Sequence, residues 1–377
     1  MTAKSAKSGK STASKVFHSG AIVTLMLSLT SLCAAQKPNI TNAKLQEQSA
    51  AGGLKPAFEA IVQKQDAPAW IGYRIPSAAK ERTMCCFDSW DGKQNGPNRC
   101  CMGCRLESDK GSSFSGTVSD CSPPEPFHYS FVFFRVEGRR VSKVRNYSPD
   151  CGLDFGGLPL YWLENVNPAQ SVSLLTELVL ANLEAEQKKG IGNSALAAIA
   201  LHDDPTADQA LEKLMQPDKP EFLREHASFW LGAERGRKGV EVLRKYAKDD
   251  PNDRLREKIA FAFSVSKEPE AIKELISMAR TDSSSRVRGQ AIFWMGQIGG
   301  RKEAEQITAA IENDPETEVK KKAVFSLAQM KDGEGVPLLI NVAKTNKNPL
   351  VRKEAIRWLG MSNDPRALDF LEQILTK

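Results

Sequence analysis

Seven cysteines form the densest group of chemically reactive side chains in the sequence, and all of them lie within 67 residues. They are Cys85, Cys86, Cys100, Cys101, Cys104, Cys121 and Cys151. In an oxidising compartment such cysteines pair, and each bridge stabilises a domain with a small core by about 2–5 kcal/mol. Because seven is odd, the simplest arrangement is three disulfides and one further thiol, with the pairing left open.

Two other kinds of cysteine chemistry are alternatives to disulfides. A zinc site could be built on Cys101 and Cys104, in a Cys-x-x-Cys spacing, together with Cys85 and Cys86. Strong zinc sites use two well-separated Cys-x-x-Cys pairs, and adjacent cysteines do not easily place both thiolates on one ion. A redox-active Cys-x-x-Cys pair normally lies between a strand and a helix, a context that this sequence lacks. We therefore expect structural disulfides and no cofactor, with zinc and redox-active thiols as the alternatives.

Candidate catalytic residues are scarce elsewhere in the chain. The four histidines, His18, His128, His202 and His226, lie in unrelated sequence contexts. The sequence contains neither a His-Glu-x-x-His helix nor a Gly-x-Ser-x-Gly turn. Residue patterns therefore favour a protein without catalytic residues, and no catalytic set is predicted.

The cysteines lie in a segment of strands and turns that we place at residues 66–165. Residues 127–136 are rich in aromatic and β-branched side chains, and a turn at 137–139 leads to a second strand at 140–145. This pattern predicts a β-hairpin whose second strand is bulged or exposed on one face. We expect a small cysteine-rich α+β module.

The N-terminal residues have the composition of an export signal. Four lysines precede an apolar stretch that ends in small residues, which predicts a signal peptide over residues 1–35 with cleavage after Ala35. Residues 36–65 are polar and small at first and are predicted to be a flexible linker. The expected location is the periplasm or the medium, with no stable membrane span after cleavage; an uncleaved signal anchor is the alternative.

The second half of the chain repeats with a period of 32 residues. One column is large and apolar in every repeat, and the next column is small. The large residues are Ile199, Leu231, Phe263, Met295, Leu327 and Leu359, and the small ones are Ala200, Gly232, Ser264, Gly296, Ala328 and Gly360. A second apolar set begins at Leu211, and apolar columns spaced by four are helical, so each unit is a helix pair. Six units without an insertion predict an α-helical solenoid over residues 186–377.

Two polar columns accompany the helices of this solenoid. The acidic column is Asp218, Asp250, Asp282 and Asp314, continued by Asn346, and the basic column six residues later is Arg224, Arg256, Arg288, Lys320 and Arg352. Aspartate and asparagine favour helix N-caps and turns, and the basic residue could bridge to the aspartate of its own or a neighbouring unit. We expect a structural role for both columns. Tryptophans that alternate with small residues, at Trp230, Trp294 and Trp358, are expected in the core.

The segments around two of the tryptophans identify a family resemblance. Val287-Arg288-Gly289-Gln290-Ala291 leads to Trp294-Met295-Gly296, and Val351-Arg352-Lys353-Glu354-Ala355 leads to Trp358-Leu359-Gly360. This pattern resembles HEAT repeats of the short type known from phycobilisome lyases. The resemblance covers about half of the chain and implies the solenoid fold, in a family that includes lyase subunits and scaffolds. A helix at residues 166–185 is predicted to cap the array and join it to the cysteine module.

Charge excludes one class of partner. The formal net charge is +6, but four lysines lie in the predicted signal, and the remaining chain has 48 basic and 46 acidic residues. Such a balance lacks the basic footprint of a nucleic-acid-binding protein. We expect an exported, non-enzymatic scaffold that binds an unknown protein or peptide on its solenoid. The alternative is a metal- or redox-active, even enzymatic, cysteine module with the repeats as a positioning arm.

Overall fold

The computed structural model describes residues 37–80, 84–87, 104–107, 114–117, 126–183 and 190–376, with only the backbone described for 85–87 and 114–117. The predicted signal peptide and Cys100, Cys101 and Cys121 lie outside these residues. The strands are β1 (Asn39–Thr41), β2 (Lys44–Ser49), β3 (Ala69–Pro76), β4 (Met84–Phe87), β5 (Cys104–Arg105), β6 (Phe114–Thr117), β7 (Tyr129–Glu137), β8 (Arg140–Tyr147), β9 (Gly152–Asp154) and β10 (Pro159–Glu164).

Fourteen α-helices lie in the described residues, twelve of them in the repeats. They are α1 (Leu54–Val62), α2 (Pro168–Ala181), α3 (Ile191–Leu201), α4 (Pro205–Leu214), α5 (Glu221–Glu234), α6 (Gly236–Asp249), α7 (Asp253–Val265), α8 (Pro269–Thr281), α9 (Ser285–Ile298), α10 (Arg301–Asn313), α11 (Thr317–Ala328), α12 (Val336–Thr345), α13 (Pro349–Gly360) and α14 (Pro365–Leu375). The predicted fold class is confirmed: a small α+β module precedes a helical solenoid.

The centre of the module is a five-stranded sheet in the order β2-β10-β3-β7-β8. Strands β2, β10 and β3 run parallel to one another, whereas β3, β7 and β8 form an antiparallel meander. Gly138 and Arg139, both at φ 56°, make the tight β7–β8 turn, because two residues at positive φ match the twist of a hairpin. The register shifts after Arg135, so the hairpin contains a bulge.

Residues 36–65, predicted as a flexible linker, are instead part of this module. Strand β1 pairs with β9, and β2 pairs along its full length with β10. All six residues of β2 are exposed, so main-chain hydrogen bonds hold the strand and no alternation of apolar residues marks it in the sequence. Helix α1 buries Leu54, Phe58 and Ile61, which lie on one face at helical spacing.

The sheet buries both of its faces. Tyr73, Ile75 and Phe134 belong to a core that continues through α1 and α2 into the solenoid. On the other face, Phe133 and Trp162 belong to a separate aromatic cluster that also contains Cys104 and Cys151. The two clusters follow from the period of two along each strand, which points neighbouring side chains to opposite faces.

Helix α2 and the start of the solenoid are fixed to this sheet. Asn167 caps α2 by accepting a hydrogen bond from the amide of Gln170 at 3.2 Å, with Pro168 in the first turn. The side chain of Asn146 on β8 donates to the carbonyl of Ser194 on α3 at 3.1 Å. Helix α2 also packs against α3 and α4, so the first repeat is covered on its outer side.

The solenoid consists of six helix pairs. The first helices of the pairs are α3, α5, α7, α9, α11 and α13, and the second helices are α4, α6, α8, α10, α12 and α14. All six large residues of the predicted column, from Ile199 to Leu359, are at most 1% exposed. Within the described residues, no helix is long and apolar enough to span a membrane.

Candidate functional site

Two of the seven predicted cysteines lie side by side in the aromatic cluster of the module. Cys104 on β5 and Cys151 before β9 are 2% and 0% exposed, and their Sγ atoms lie 3.3 Å apart. The fold thus brings together sulfurs that are 47 residues apart in sequence. The side chains of Cys85 and Cys86, like Cys100, Cys101 and Cys121, lie outside the described part of the chain.

The zinc alternative gains no donor set from the part of the chain that is described. Among those side chains, no three histidine, cysteine, aspartate or glutamate residues are grouped closely enough to hold a metal ion. The five cysteines outside the described side chains are not covered by that statement. The structure therefore leaves the zinc and redox hypotheses where the sequence placed them.

A serine–histidine pair that the sequence did not indicate lies where the module meets the solenoid. His202 Nε2 lies 2.9 Å from Ser171 Oγ, which in turn lies 2.7 Å from the hydroxyl of Tyr73. His202 Nδ1 lies 2.6 Å from the carbonyl oxygen of Ala198, so Nδ1 carries the proton and Nε2 accepts. All three side chains are fully buried, and a nucleophile without access to substrate cannot act on it, so the network is structural.

Burial also fixes the protonation states in this network. Desolvation lowers the pKa of His202 from 6.5 to about 4, opposed in part by the hydrogen bond to Ala198. The same effect raises the pKa of Tyr73. Both groups are therefore neutral near neutral pH, and protonating His202 would remove the acceptor that Ser171 uses.

The predicted polar columns form an ion-pair ladder between repeats. Arg256 donates to both carboxylate oxygens of Asp282, each at 2.9 Å, and also to the carbonyl of Asp250 at 2.6 Å. Arg288 repeats this arrangement with Asp314 of the following unit at 2.7 and 3.1 Å. Each arginine thus joins the loop of its own unit to the loop of the next. The bidentate geometry is the strong form of such a pair.

The ladder is incomplete at both ends, and its aspartates are turn residues. Arg224 pairs with Asp250, whereas Asp218 pairs with the adjacent Lys219. In the last two units, Lys320 donates to the carbonyl of Glu312 at 2.9 Å and Arg352 to that of Asn346 at 2.7 Å.

Each carboxylate of the inner units accepts a hydrogen bond from the amide two residues later. Asp250, for example, accepts from Asn252 at 2.9 Å, and Asn252 is itself the N-cap of α7. The column therefore shapes the loop before each first helix instead of capping that helix. Among the options that the sequence left open, the turn role and the bridge to the neighbouring unit are the ones observed.

A continuous row of seven aromatic rings crosses five first helices. We call these rings the aromatic row: Phe229, Phe261, Phe293 and Phe325 with Trp230, Trp294 and Trp358. Phe229 stacks on Phe261 with ring centroids 5.8 Å apart and planes inclined by 16°. Phe293 and Phe325 stack in the same way, at 6.1 Å and 7°. Trp294, 4.6 Å from Phe261 and 5.0 Å from Phe293, joins the two stacks.

The phenylalanines of the row point away from the core. At about 100° per residue, Phe261 lies on the side of α7 opposite to Leu255, Ile259 and Phe263, which are fully buried. The three tryptophans are partly buried against the core, as the sequence indicated, but the phenylalanines are not part of it. They are nevertheless half-buried, because each ring covers its neighbour.

The row lies on the inner layer of the solenoid. A Cβ built on Gly232 of α5 would lie 2.2 Å from the carbonyl oxygen of Ala262 on α7, so the two backbones touch. Neighbouring second helices are in looser contact. A curved stack is closer-spaced on its inner side, and the first helices therefore form the concave layer.

The surface around the row is basic. Side chains three, four and seven positions before each phenylalanine, together with their counterparts on α13, surround the rings, because these offsets are neighbours on a helix. The basic residues in this set are Arg254, Lys258, Arg286, Lys321, Lys322, Lys353 and Arg357, and the acidic ones are Glu225, Glu257, Glu318 and Glu354. The array as a whole, from residue 193 onward, has 30 basic and 29 acidic residues, so the positive charge is concentrated on this face.

Comparison with known proteins agrees with this geometry. The HEAT-repeat family model matches residues 210–296, 240–314 and 304–377. The C-terminal half of the chain is a HEAT-repeat array. No curated protein matches the sequence.

Two solved structures align with the HEAT array at low identity. Human deoxyhypusine hydroxylase in complex with glycerol is 16% identical, with a TM-score of 0.24 over 55% of this chain and 90% of that chain. The complex of CpcE and CpcF of phycocyanin lyase from Nostoc sp. PCC7120 is 22% identical, with a TM-score of 0.30 over 49% of this chain and 76% of that chain. Alignments at these TM-scores carry no information about function.

Proposed function

We propose that this protein is exported and acts as a non-enzymatic scaffold that binds another protein or peptide on the inner face of its HEAT array. The observation that carries the proposal is the aromatic row. Four phenylalanines recur on a solvent-facing side of the first helices, in positions where they add little to the core.

The row has the properties of a binding surface. Aromatic side chains supply large contact areas at low entropic cost, and they dominate the energetics of protein interfaces. Rings held by stacking on both sides are also preorganised, so a partner spends little free energy on ordering them. A concave HEAT surface is the usual place for such contacts.

Charge indicates the chemistry of the partner. Seven basic and four acidic residues surround the row, so an acidic segment with apolar or aromatic anchors would match both the rings and their rim. The rim is too weakly basic to bind a nucleic acid backbone by charge alone.

The cysteine module would stabilise the anchored end of the array. Disulfides in an exported protein are supported by the approach of Cys104 Sγ to Cys151 Sγ within 3.3 Å. Because α2 and α3 pack against the sheet of this module, rigidity in the module is passed to the first repeats.

The proposal is tested by an affinity measurement on a partner first isolated from the exported fraction. Binding is compared for the wild type, a Phe261→Ala/Phe293→Ala variant and a Lys273→Ala/Ser277→Ala control on the exposed side of α8. Two aromatic anchors at about 2 kcal/mol each predict a rise in Kd of roughly 100-fold or more for the first variant and little change for the control. Equal affinities for all three proteins would refute the proposal.

A further inference from the structure

We propose that the C-terminal end of the HEAT array binds the same end of a second copy of this chain, which makes the protein a closed two-fold dimer. This inference is independent of the aromatic row and of the partner that binds there. It concerns a different surface, which we call the end face: Ile356 and Gly360 on α13 with Leu368, Ile374 and Leu375 on α14.

The end face consists of columns that are buried everywhere else in the array. One column of the first helices is Ser228, Ala260, Ile292 and Val324, each 0% exposed, whereas the next member, Ile356, is 37% exposed. On the second helices, Val240, Ala304 and Val336 are at most 7% exposed, but Leu368 is 58% exposed. The last repeat therefore presents the surface that, in the inner repeats, is covered by a following helix pair.

The glycine column shows that this surface is shaped to receive a helix. At Gly232 and Gly296 an added Cβ would lie 2.2 Å and 2.8 Å from backbone oxygens of the next first helix. At Gly360, the next glycine in the column two repeats later, no atom lies within 4 Å of such a Cβ. A helix can thus approach α13 closely at Gly360, as α7 approaches α5.

Exposed apolar side chains are concentrated at this end of the molecule. Eight large apolar residues are exposed in the described part of the chain, and six of them lie between residues 350 and 375. Leu375 is 84% exposed and Leu368 is 58% exposed. Terminal repeats normally need a polar outer face for solubility, and a contiguous apolar patch marks an interaction site.

The fold decides how a second copy can dock. The opposite end of the array cannot receive the end face of another copy, because α2 and β8 already pack against α3. Head-to-tail stacking into a filament is thereby excluded. The contact available to two copies is end face against end face, which is the self-complementary contact of a two-fold dimer.

Charges around the end face are complementary under such a two-fold axis. Lys353 on α13 is exposed and basic, whereas Asp369 and Glu372 on α14 are exposed and acidic. No ion pair among the described residues includes any of the three. An arrangement that places α13 of one copy over α14 of the other brings opposite charges together at both rims.

The test is sedimentation of the full-length protein, with its cysteines oxidised, from low to high micromolar concentration. The wild type is expected to convert from monomer to dimer without larger species. An Ile356→Glu/Leu368→Glu variant should raise the dimer Kd at least about tenfold, whereas Leu180→Glu, at an exposed apolar residue far from the end face, should leave it unchanged. Because all three positions are exposed, circular dichroism should show the same helix content.

A charge exchange tests the orientation independently of the apolar contacts. Lys353→Asp and Asp369→Lys should each weaken the dimer, and the double variant should recover much of the wild-type Kd. A wild type that remains monomeric, a dimer that tolerates the two glutamates, or growth into larger polymers would each overturn the proposal.

Discussion

The sharpest prediction concerns a single added methyl group at three positions of one glycine column. Gly232, Gly296 and Gly360 occupy equivalent places on α5, α9 and α13. The distances from an added Cβ to the next helix are 2.2 Å and 2.8 Å at the first two, with nothing within 4 Å at the third. Replacing each glycine by alanine therefore makes the same chemical change in three degrees of crowding.

Two opposing contributions set the size of each effect. Alanine is favoured over glycine within a helix by up to about 1 kcal/mol. Overpacking against a rigid backbone costs about 1–3 kcal/mol. Gly232→Ala should therefore destabilise the array by about 1–2 kcal/mol. Gly296→Ala should be smaller or near neutral, and Gly360→Ala should be neutral or stabilising by less than about 1 kcal/mol.

Urea unfolding monitored by far-ultraviolet circular dichroism measures this order, with hydrogen exchange to localise the loss. The midpoint should be lowest for Gly232→Ala and highest for Gly360→Ala, measured at a concentration where all variants are monomeric. Amides of α5 and α7 should exchange faster in Gly232→Ala. If Gly232→Ala were as stable as Gly360→Ala, the close approach of the first helices would be wrong, and with it the assignment of the concave layer.

Three further predictions concern the buried polar groups and the cysteines. His202 has a pKa lowered to about 4 from 6.5, so the unfolded state takes up its proton first as the pH falls; the free energy of unfolding should drop by up to about 3 kcal/mol between these two pH values. This drop should be missing from a pH series on His202→Gln, and an identical slope in both proteins would contradict it. Asp282→Ala leaves Arg256 buried without its partner and should cost about 3–5 kcal/mol, against about 0.5 kcal/mol or less for Glu305→Ala at an exposed pair; equal urea midpoints would count against the ladder. Reductant should speed amide exchange in residues 66–165 and leave the helical signal of the array intact, whereas a response to a strong chelator alone would favour zinc.

The helix pairs were predictable from sequence because each repeat must bury the same columns. A large residue followed by a small one, as at Met295 and Gly296, recurs every 32 residues, and this regularity reflects one packing solution used six times. The partners in the ion-pair ladder were not predictable. Whether Arg256 reaches Asp250 or Asp282 depends on the offset between neighbouring units, which the period alone does not determine.

Other features were hidden because their cause is not local in the sequence. Strand β2 is held by backbone pairing to β10, more than 100 residues later, and its polar side chains resemble those of a linker. His202, Ser171 and Tyr73 come together only when the array docks on the sheet. The phenylalanines of the aromatic row do have a sequence signal, since they recur every 32 residues. Their orientation away from the core became clear only from the direction of the helices.

Site-specific cross-linking tests the central claim, that a protein partner occupies the inner face of the HEAT array. A photoreactive phenylalanine analogue at position 261 keeps a ring in the row, and the same analogue at position 273 lies on the exposed outer side of α8. After irradiation in the producing cells, a discrete cross-linked species is expected from position 261 and not from position 273, and excess wild-type protein should compete for it. Cross-links that are absent from position 261, or equally abundant at both positions, would contradict the assignment of the aromatic row as the binding surface.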